Sequence, residues 1–425
     1  MALSLRRNAA WTLLGQVVSA ACHWGGLVVV GRLGGPEELG RYAFALALVT
    51  PIMLFAGLQM RELQVADASQ RFRFEDYFSV RVAGTVCAAL ILLIIGVVGY
   101  AWQMALVILL VTLARGFEGL SEVHYGAAHR HRRLDLVAQS TMLRGVLGLL
   151  ALAAGYSLTA DLAVGLVGVA VTRAMVWWFF DRARTRQWRS PRAAAPSGSS
   201  DKRRLELAWT ALPLGIATLL ITLNPNVPRY AIEAMLGLAT LGLFTSMAHF
   251  VVAGRMVISA LCQAAFPRLA DLHVAGDRAG FRWLLIRLIA VSALPGCLGL
   301  LIAIAFGHEL LSLIYGPSFA AGADVFPWIM LVGVVLYAQT PFGYGLTATQ
   351  RIKVQPVMFF ATVVVNAVGC LLLVPGYGLF GATLAWLASV TCQLVLSTSL
   401  HWRYLRRPAD ATPAEDARPS PKHSS

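Results

Sequence analysis

The chain has 425 residues, of which 58% are hydrophobic and only 13% charged, and its mean hydropathy is +0.67. A water-soluble chain carries about a quarter charged residues, so composition excludes an ordinary soluble enzyme and points to an all-α polytopic membrane protein. The net charge of +14 does not mark a nucleic-acid binder, because the basic residues cluster in short segments between apolar runs.

The apolar runs predict twelve helices in chain order, with cores at 9–30, 39–60, 78–98, 102–127, 137–156, 160–180, 207–228, 234–260, 283–305, 322–345, 354–374 and 379–401. The first follows Arg6 and Arg7 and runs into a multispanning chain without a small-residue cleavage site, so it reads as a retained helix. Between the third and fourth lies only Gly99–Tyr100–Ala101. With the N-terminus inside, Arg81 and Arg144 count with the inner segments. Of the 35 basic residues, only Arg32, Arg41 and Arg229 then fall in outer loops, and only Arg115, Arg173 and Arg255 fall within spans. A bias of this size sets both termini in the cytoplasm and makes the number of spans even.

Residues 185–204, TRQWRSPRAAAPSGSSDKRR, are polar, basic and without periodicity. They read as a basic cytoplasmic linker held near anionic lipid, between an N-terminal six-helix bundle at 1–184 and a C-terminal six-helix bundle at 205–407. The tail at 408–425 is rich in Pro, Ala and Ser and reads as disordered. Both halves carry a related signature. Leu33–Gly34 and Leu39–Gly40 open the second helix, and Leu236–Gly237 and Leu241–Gly242 open the eighth. Six intervening helices give the two repeats the same orientation in the membrane, one architecture that supports alternating access.

Polar groups inside apolar runs are expensive and therefore informative. In the fourth helix, Arg115, Glu118 and Glu122 share one face through spacings of three, four and seven. They form either a structural ion pair of Arg115 with Glu118, or a cavity where Arg115 meets an anionic substrate and the glutamates hold the arginine or take a proton. The seventh segment carries Asn224 and Asn226 beside Pro225 and Pro228, with Pro213 upstream. The three prolines are hinge candidates; the second break either bends the helix or ends it at the outer interface. Arg229 at that end is a phosphate or sugar contact or an interfacial anchor. Arg255 has no acid within a turn, so it faces a cavity or snorkels inward. Arg173 has the same two readings, and Arg61 is either a headgroup contact on the inner side or a cytoplasmic cap. The six cysteines lie in apolar runs without a CxxC pair and read as small buried residues. No Walker A, HExxH or serine-elbow pattern occurs, so neither catalytic residues, nor a metal site, nor a cofactor is expected.

Several stretches, in order, carry a family resemblance: NAAWTLLG from Asn8, LGGPEELGRYAFALALVTP from Leu33, RFRFEDYFSVR from Arg71, PLGIATLLITLNPNVPRYAIEAMLGLATLGLFTSMAHF from Pro213, ISALCQAAFPRLADLHVAGDRAGF from Ile258, LIYGPSFAAGADVFPWIM from Leu313 and PGYGLFGATLAW from Pro375. Together they cover nearly the whole chain. The chain resembles the polysaccharide-type flippases of the multidrug/oligosaccharidyl-lipid/polysaccharide exporter superfamily. The resemblance implies twelve helices in two bundles around a central cavity with alternating access, in a bacterial inner membrane. It implies a polyprenyl-diphosphate-linked oligosaccharide as substrate, flipped from inner to outer leaflet among membrane lipids; because one chain carries both half-bundles, a monomer is expected to suffice. Polymerase and glycosyltransferases of the same pathway are the implied partners. It makes Arg115, Arg229 and Arg255 the first candidates for contact with the diphosphate or acidic sugars, and Glu118 and Glu122 the candidates for ion coupling. Two alternatives stand beside it: a drug or organic-cation exporter of the same superfamily, and a nontransporting membrane enzyme or scaffold.

Overall fold

A computed structural model describes residues 5–67, 71–188, 199–349 and 354–406. Residues 189–198 of the 185–204 linker and the whole 408–425 tail lie outside the described residues. The described chain is all-helical: α1 Leu5–Ala56, α2 Met60–Ala66, α3 Phe74–Gly99, α4 Trp102–Arg130, α5 Leu134–Thr159, α6 Leu162–Met175, α7 Ser200–Leu223, α8 Val227–Leu236, α9 Leu238–Val274, α10 Arg278–Tyr315, α11 Phe326–Ala348 and α12 Gln355–Arg406. Helix α6 continues through a π turn at Val176–Asp181 to Arg184, and a 3-10 turn at Asn224–Asn226 joins α7 to α8. Among the described residues, ten helical stretches are long and apolar enough to cross a membrane. Large apolar side chains such as Val98, Leu158, Leu313 and Leu372 stand exposed on their outer faces, as lipid-facing surfaces do.

Three of the long helices contain a non-helical residue: Gly35 in α1, Phe306 in α10 (φ −135°, ψ 21°) and Gly378 in α12. Helix α1 is interrupted at Gly35, whose φ of 72° and ψ of −170° no helix accommodates. Pro36 then restarts the helix in a position where no amide is needed. Glu37 and Glu38 follow in the new first turn, both paired with Arg41, which suits the positive end of the helix dipole. Helix α12 is interrupted in the same way at Gly378, with φ 55° and ψ −134°. Between α8 and α9, Gly237 takes φ 83°. The short turn after α3 is also where the sequence places it, at an extended Tyr100.

The glycine signature of the two halves meets itself in space. A Cβ on Gly40 would overlap the Leu238 carbonyl, and a Cβ on Gly242 would overlap the Pro36 carbonyl. Each half thus presses a glycine against the backbone that follows the other half's positive-φ glycine, Gly35 or Gly237. Nearby, Trp24 Nε1 donates to the Tyr315 hydroxyl at 2.9 Å and Arg32 Nε to the Ile314 carbonyl at 2.8 Å. At the opposite end of the bundle a second seam joins the halves. There Arg203 Nε reaches Asp76 Oδ2 at 3.4 Å, Arg71 pairs with Glu206, and Gln59 bonds Thr218. Met60, Phe72, Tyr77 and Val123 pack there on Leu207 and Ala211.

Three expectations are corrected. The seventh segment does not end at 228: past Pro225 and Pro228 the chain stays helical to Leu236. Arg81 and Arg144 are not inner-loop charges but buried residues of α3 and α5. Among the six cysteines, all free, Cys87 and Cys297 are exposed rather than buried.

Candidate functional site

The site is built around α4, one of the most enclosed of the helices. Glu118 lies near its middle, and its carboxylate gathers arginines from three helices. Oε2 accepts from Arg115 Nη1 of α4 at 3.0 Å and from Arg173 Nη1 of α6 at 2.9 Å, while Oε1 faces Arg144 Nη2 of α5 at 3.7 Å. The local pair follows from the i,i+3 spacing of one helix face; the other two require α5 and α6 to pack against it. Three guanidinium groups around one carboxylate leave the cluster with an excess of positive charge. The Arg115 Nε and Arg144 Nη1 atoms are buried without a hydrogen-bond partner, so the single carboxylate does not fill the cluster's donor capacity.

A second ionic group lies one turn further along α4. Glu122 Oε2 accepts from Arg61 Nη1 of α2 at 3.2 Å. The Arg61 and Arg144 guanidinium carbons stand 5.7 and 5.6 Å from the centre of the Tyr125 ring, where the ring quadrupole attracts cations. The Tyr125 hydroxyl is tied to Ser140 Oγ at 2.7 Å, so the ring is fixed as a platform between the two groups.

These residues line two adjoining cavities that share Arg115 and Glu118. One, of about 350 Å³, is bordered by Gly57, Arg61, Arg81, Glu122 and, from the second half of the chain, Thr218. The other, of about 270 Å³, is bordered by His23, Tyr42, Arg144, Arg173 and, from the second half, Met256. His23 of α1 faces His249 of α9 with ring centroids 5.9 Å apart. The cavities therefore sit where the two halves of the chain meet.

The remaining candidates fall elsewhere. Arg229 Nη1 donates to Asn226 Oδ1 at 2.6 Å, and its buried Nε has no partner. Asn226 Nδ2 in turn donates to the Thr222 carbonyl at 2.8 Å. Pro228 has no amide to offer the Asn224 carbonyl one turn before it. The Val227 amide serves that carbonyl instead through the 3-10 turn, and Asn366 Nδ2 of α12 adds a second donor to it at 2.9 Å and also reaches Asn224 Oδ1 at 3.0 Å. Ser389 Oγ of α12 completes the node with Asn224 Oδ1 at 3.2 Å and the Thr362 carbonyl at 2.8 Å. The proline break is thus stitched to α12 rather than left open to a ligand. Pro213 is exposed on an uninterrupted stretch of α7. Arg255 is exposed on α9, does not border either cavity and, among the described residues, forms no ion pair. The structure brings Arg61, Arg115, Arg173, Glu118 and Glu122 together. It adds Arg81, Arg144 and His23, and it leaves Arg255 outside. For Arg144 the overlooked signal is its depth in the run LVAQSTMLRGVLGLL, beside Gly145 and Gly148.

Among the described residues, no group of three or more His, Cys, Asp or Glu side chains is placed to hold a metal ion. The fold is that of known membrane transporters. The chain superposes on the lipid II flippase MurJ in an inward closed conformation with a TM-score of 0.74, at 9% identity, over 92% of this chain and 87% of that one. It superposes on an inward-facing multidrug resistance MATE family transporter of the MOP superfamily with a TM-score of 0.69, at 11% identity, over 93% and 98%. In sequence it is 25% identical to the capsular polysaccharide biosynthesis protein CapF of Staphylococcus aureus over 405 residues, 94% of this chain and 99% of that protein. The family model for polysaccharide biosynthesis proteins matches residues 5–273, the stretch that holds every residue of the Glu118 cluster, and this multi-pass membrane protein belongs to that family.

Proposed function

We propose that the protein is an alternating-access flippase that carries polyprenyl-diphosphate-linked oligosaccharide units from the inner to the outer leaflet of a bacterial cytoplasmic membrane, for assembly of a surface polysaccharide. The observation that carries this reading is the cluster of Arg115, Arg144 and Arg173 on Glu118, facing cavities at the junction of the two halves. Sugars and phosphates do not cross hydrocarbon unaided, whereas a prenyl chain rests in it. The protein shelters the headgroup and leaves the tail in lipid. A diphosphate diester carries a negative charge on each phosphate, which the excess positive charge of the cluster matches. No bond is made or broken.

In this reading the breaks at Gly35 and Gly378 divide α1 and α12 into two spans each, so that the ten long stretches become twelve. The reciprocal glycine contacts of Gly40 and Gly242 support two parallel six-helix bundles. The seam at Asp76 and Arg203 lies at the cytoplasmic end, with both termini, and the glycine seam lies at the outer end. Transport opens the two seams in turn, each exposing the arginine cluster to one side. The name of the Staphylococcus aureus relative agrees with a polysaccharide pathway, and the flippase fold agrees with a lipid-linked cargo. A drug exporter of the same fold handles organic cations, which a cavity walled by arginines repels. The test is reconstitution in sealed proteoliposomes with a polyprenyl-diphosphate oligosaccharide, reading headgroup accessibility at the far leaflet. Protein-dependent movement supports the reading. Its absence in folded protein, across neutral and acidic oligosaccharides and with proton or sodium gradients imposed, contradicts it.

A further inference from the structure

Arg81 stands apart from every other arginine of the site. Its side chain is buried to 8% exposure in α3, yet among the described residues it makes no hydrogen bond or ion pair, and its Nε is fully enclosed without an acceptor. Among the described residues, none of the acids that face it forms an ion pair with it: Glu122 is held by Arg61, Glu118 by its three arginines, and Glu62 is exposed at the cavity rim. The protein has nevertheless made room for this guanidinium. It lies over Gly57 of the turn after α1 and Gly119 of α4, and a Cβ on either would overlap its terminal nitrogens. Both glycines border the 350 Å³ cavity, as Arg81 does. A buried cation without a partner is costly, and a cradle of two glycines that points it into a cavity has no structural benefit of its own.

We propose that Arg81 is a separate oxyanion-receiving subsite at the end of the cavity nearest the Asp76–Arg203 seam, occupied by a phosphate or a sugar carboxylate of the substrate. This rests on the flippase reading and deepens it. Arg115 and Glu118 border both cavities, so an anion held at Arg81 is next to the deeper cluster of Arg144 and Arg173. The substrate headgroup then has two cationic stations. Gly57, Gly119 and the enclosed Nε fix the orientation of the first, so its terminal nitrogens meet the ligand pre-organised.

The test uses the full chain in nanodiscs of neutral lipid, titrated with inorganic pyrophosphate and, separately, with glucuronate, in the wild type, Arg81→Gln, Arg81→Lys, Arg115→Gln and the Arg81→Gln/Arg115→Gln double variant. A lost charge-assisted contact corresponds to roughly ten- to hundredfold weaker binding. The expected result is a loss of that size for Arg81→Gln in both the wild-type and Arg115→Gln backgrounds, a smaller loss for Arg81→Lys, and an unfolding temperature of Arg81→Gln at or above that of the wild type. The probe that weakens identifies the oxyanion as phosphate or carboxylate. Unchanged binding of both probes in Arg81→Gln overturns the subsite. So does weakened binding accompanied by a lower unfolding temperature that Arg81→Lys does not restore, because Arg81 is then a brace. If the wild type binds neither probe, the flippase reading fails together with the subsite; if only Arg115→Gln weakens binding, the subsite fails alone.

Discussion

Replacing Glu118 by glutamine keeps the shape of the side chain and removes the one charge that holds Arg115, Arg144 and Arg173 together. Breaking a buried ion pair costs about 3–5 kcal/mol, because the partner is left uncompensated. Here the partners keep 8–23% side-chain exposure and Glu118 keeps 26%. Water in the cavity therefore screens the cluster, and the lower end, about 3 kcal/mol, is expected. Neutralising Arg173 as well removes part of the repulsion, so Glu118→Gln/Arg173→Gln is expected to unfold at a higher temperature than Glu118→Gln alone. An oxyanion takes the place of the lost carboxylate. A ligand at a hundredfold its Kd stabilises by about 2.7 kcal/mol, close to the loss. Pyrophosphate is therefore expected to raise the unfolding temperature of Glu118→Gln more than that of the wild type. The eleven tryptophans of the chain give a fluorescence signal for unfolding in detergent. If Glu118→Gln unfolds with the wild type, and pyrophosphate shifts both equally, then Glu118 does not organise the arginines and the cluster is not an anion site.

Two further changes test the frame around the site. Asn366→Leu removes the side-chain donor that ties Asn224 to α12. The Asn224 carbonyl keeps the Val227 amide, so the loss is expected to cost about 1–2 kcal/mol, read as a lower unfolding temperature; Ser389→Ala, which loses a weaker contact, falls less. Gly40→Ala and Gly242→Ala place a methyl against the opposing backbone and are expected to favour the outward-open state. Cys22, which borders the deeper cavity, then labels faster with an outside-added thiol reagent in a chain whose other cysteines are replaced by serine or alanine; an unchanged rate in both variants counts against that seam as a gate.

The membrane class and the helical segments were legible because lipid demands long apolar runs with every backbone group paired internally. Helix ends were less legible. The prolines at 225 and 228 look like a terminus in sequence, yet a 3-10 turn pairs the Asn224 carbonyl with the Val227 amide, Asn366 from far along the chain braces the same carbonyl, and the helix runs on. The site shows the same division. Arg115 and Glu118 could be paired from spacing alone, since one helix carries both. Arg173 was visible as a charge inside a span, but its partner was not, because nothing in sequence says which face of α6 meets α4. Arg81 and Arg144 sit within ten residues of a basic helix end, where a loop charge and a buried one look alike until packing separates them. Arg255 shows the converse: an arginine deep in an apolar run that the packing leaves exposed and away from the cavities.

The most direct test of the central claim is flipping in sealed proteoliposomes, comparing wild type with Arg115→Gln, Arg144→Gln and Arg173→Gln. Arg255→Gln serves as the control outside the cavities, with an acidic and a neutral polyprenyl-diphosphate oligosaccharide as substrates. The account predicts that each cavity variant, folded and inserted, slows transfer about tenfold or more, the scale of one charge-assisted contact, while Arg255→Gln stays near the wild type. Equal rates in all four variants would contradict it, because the arginines gathered on Glu118 would then have no part in moving the headgroup.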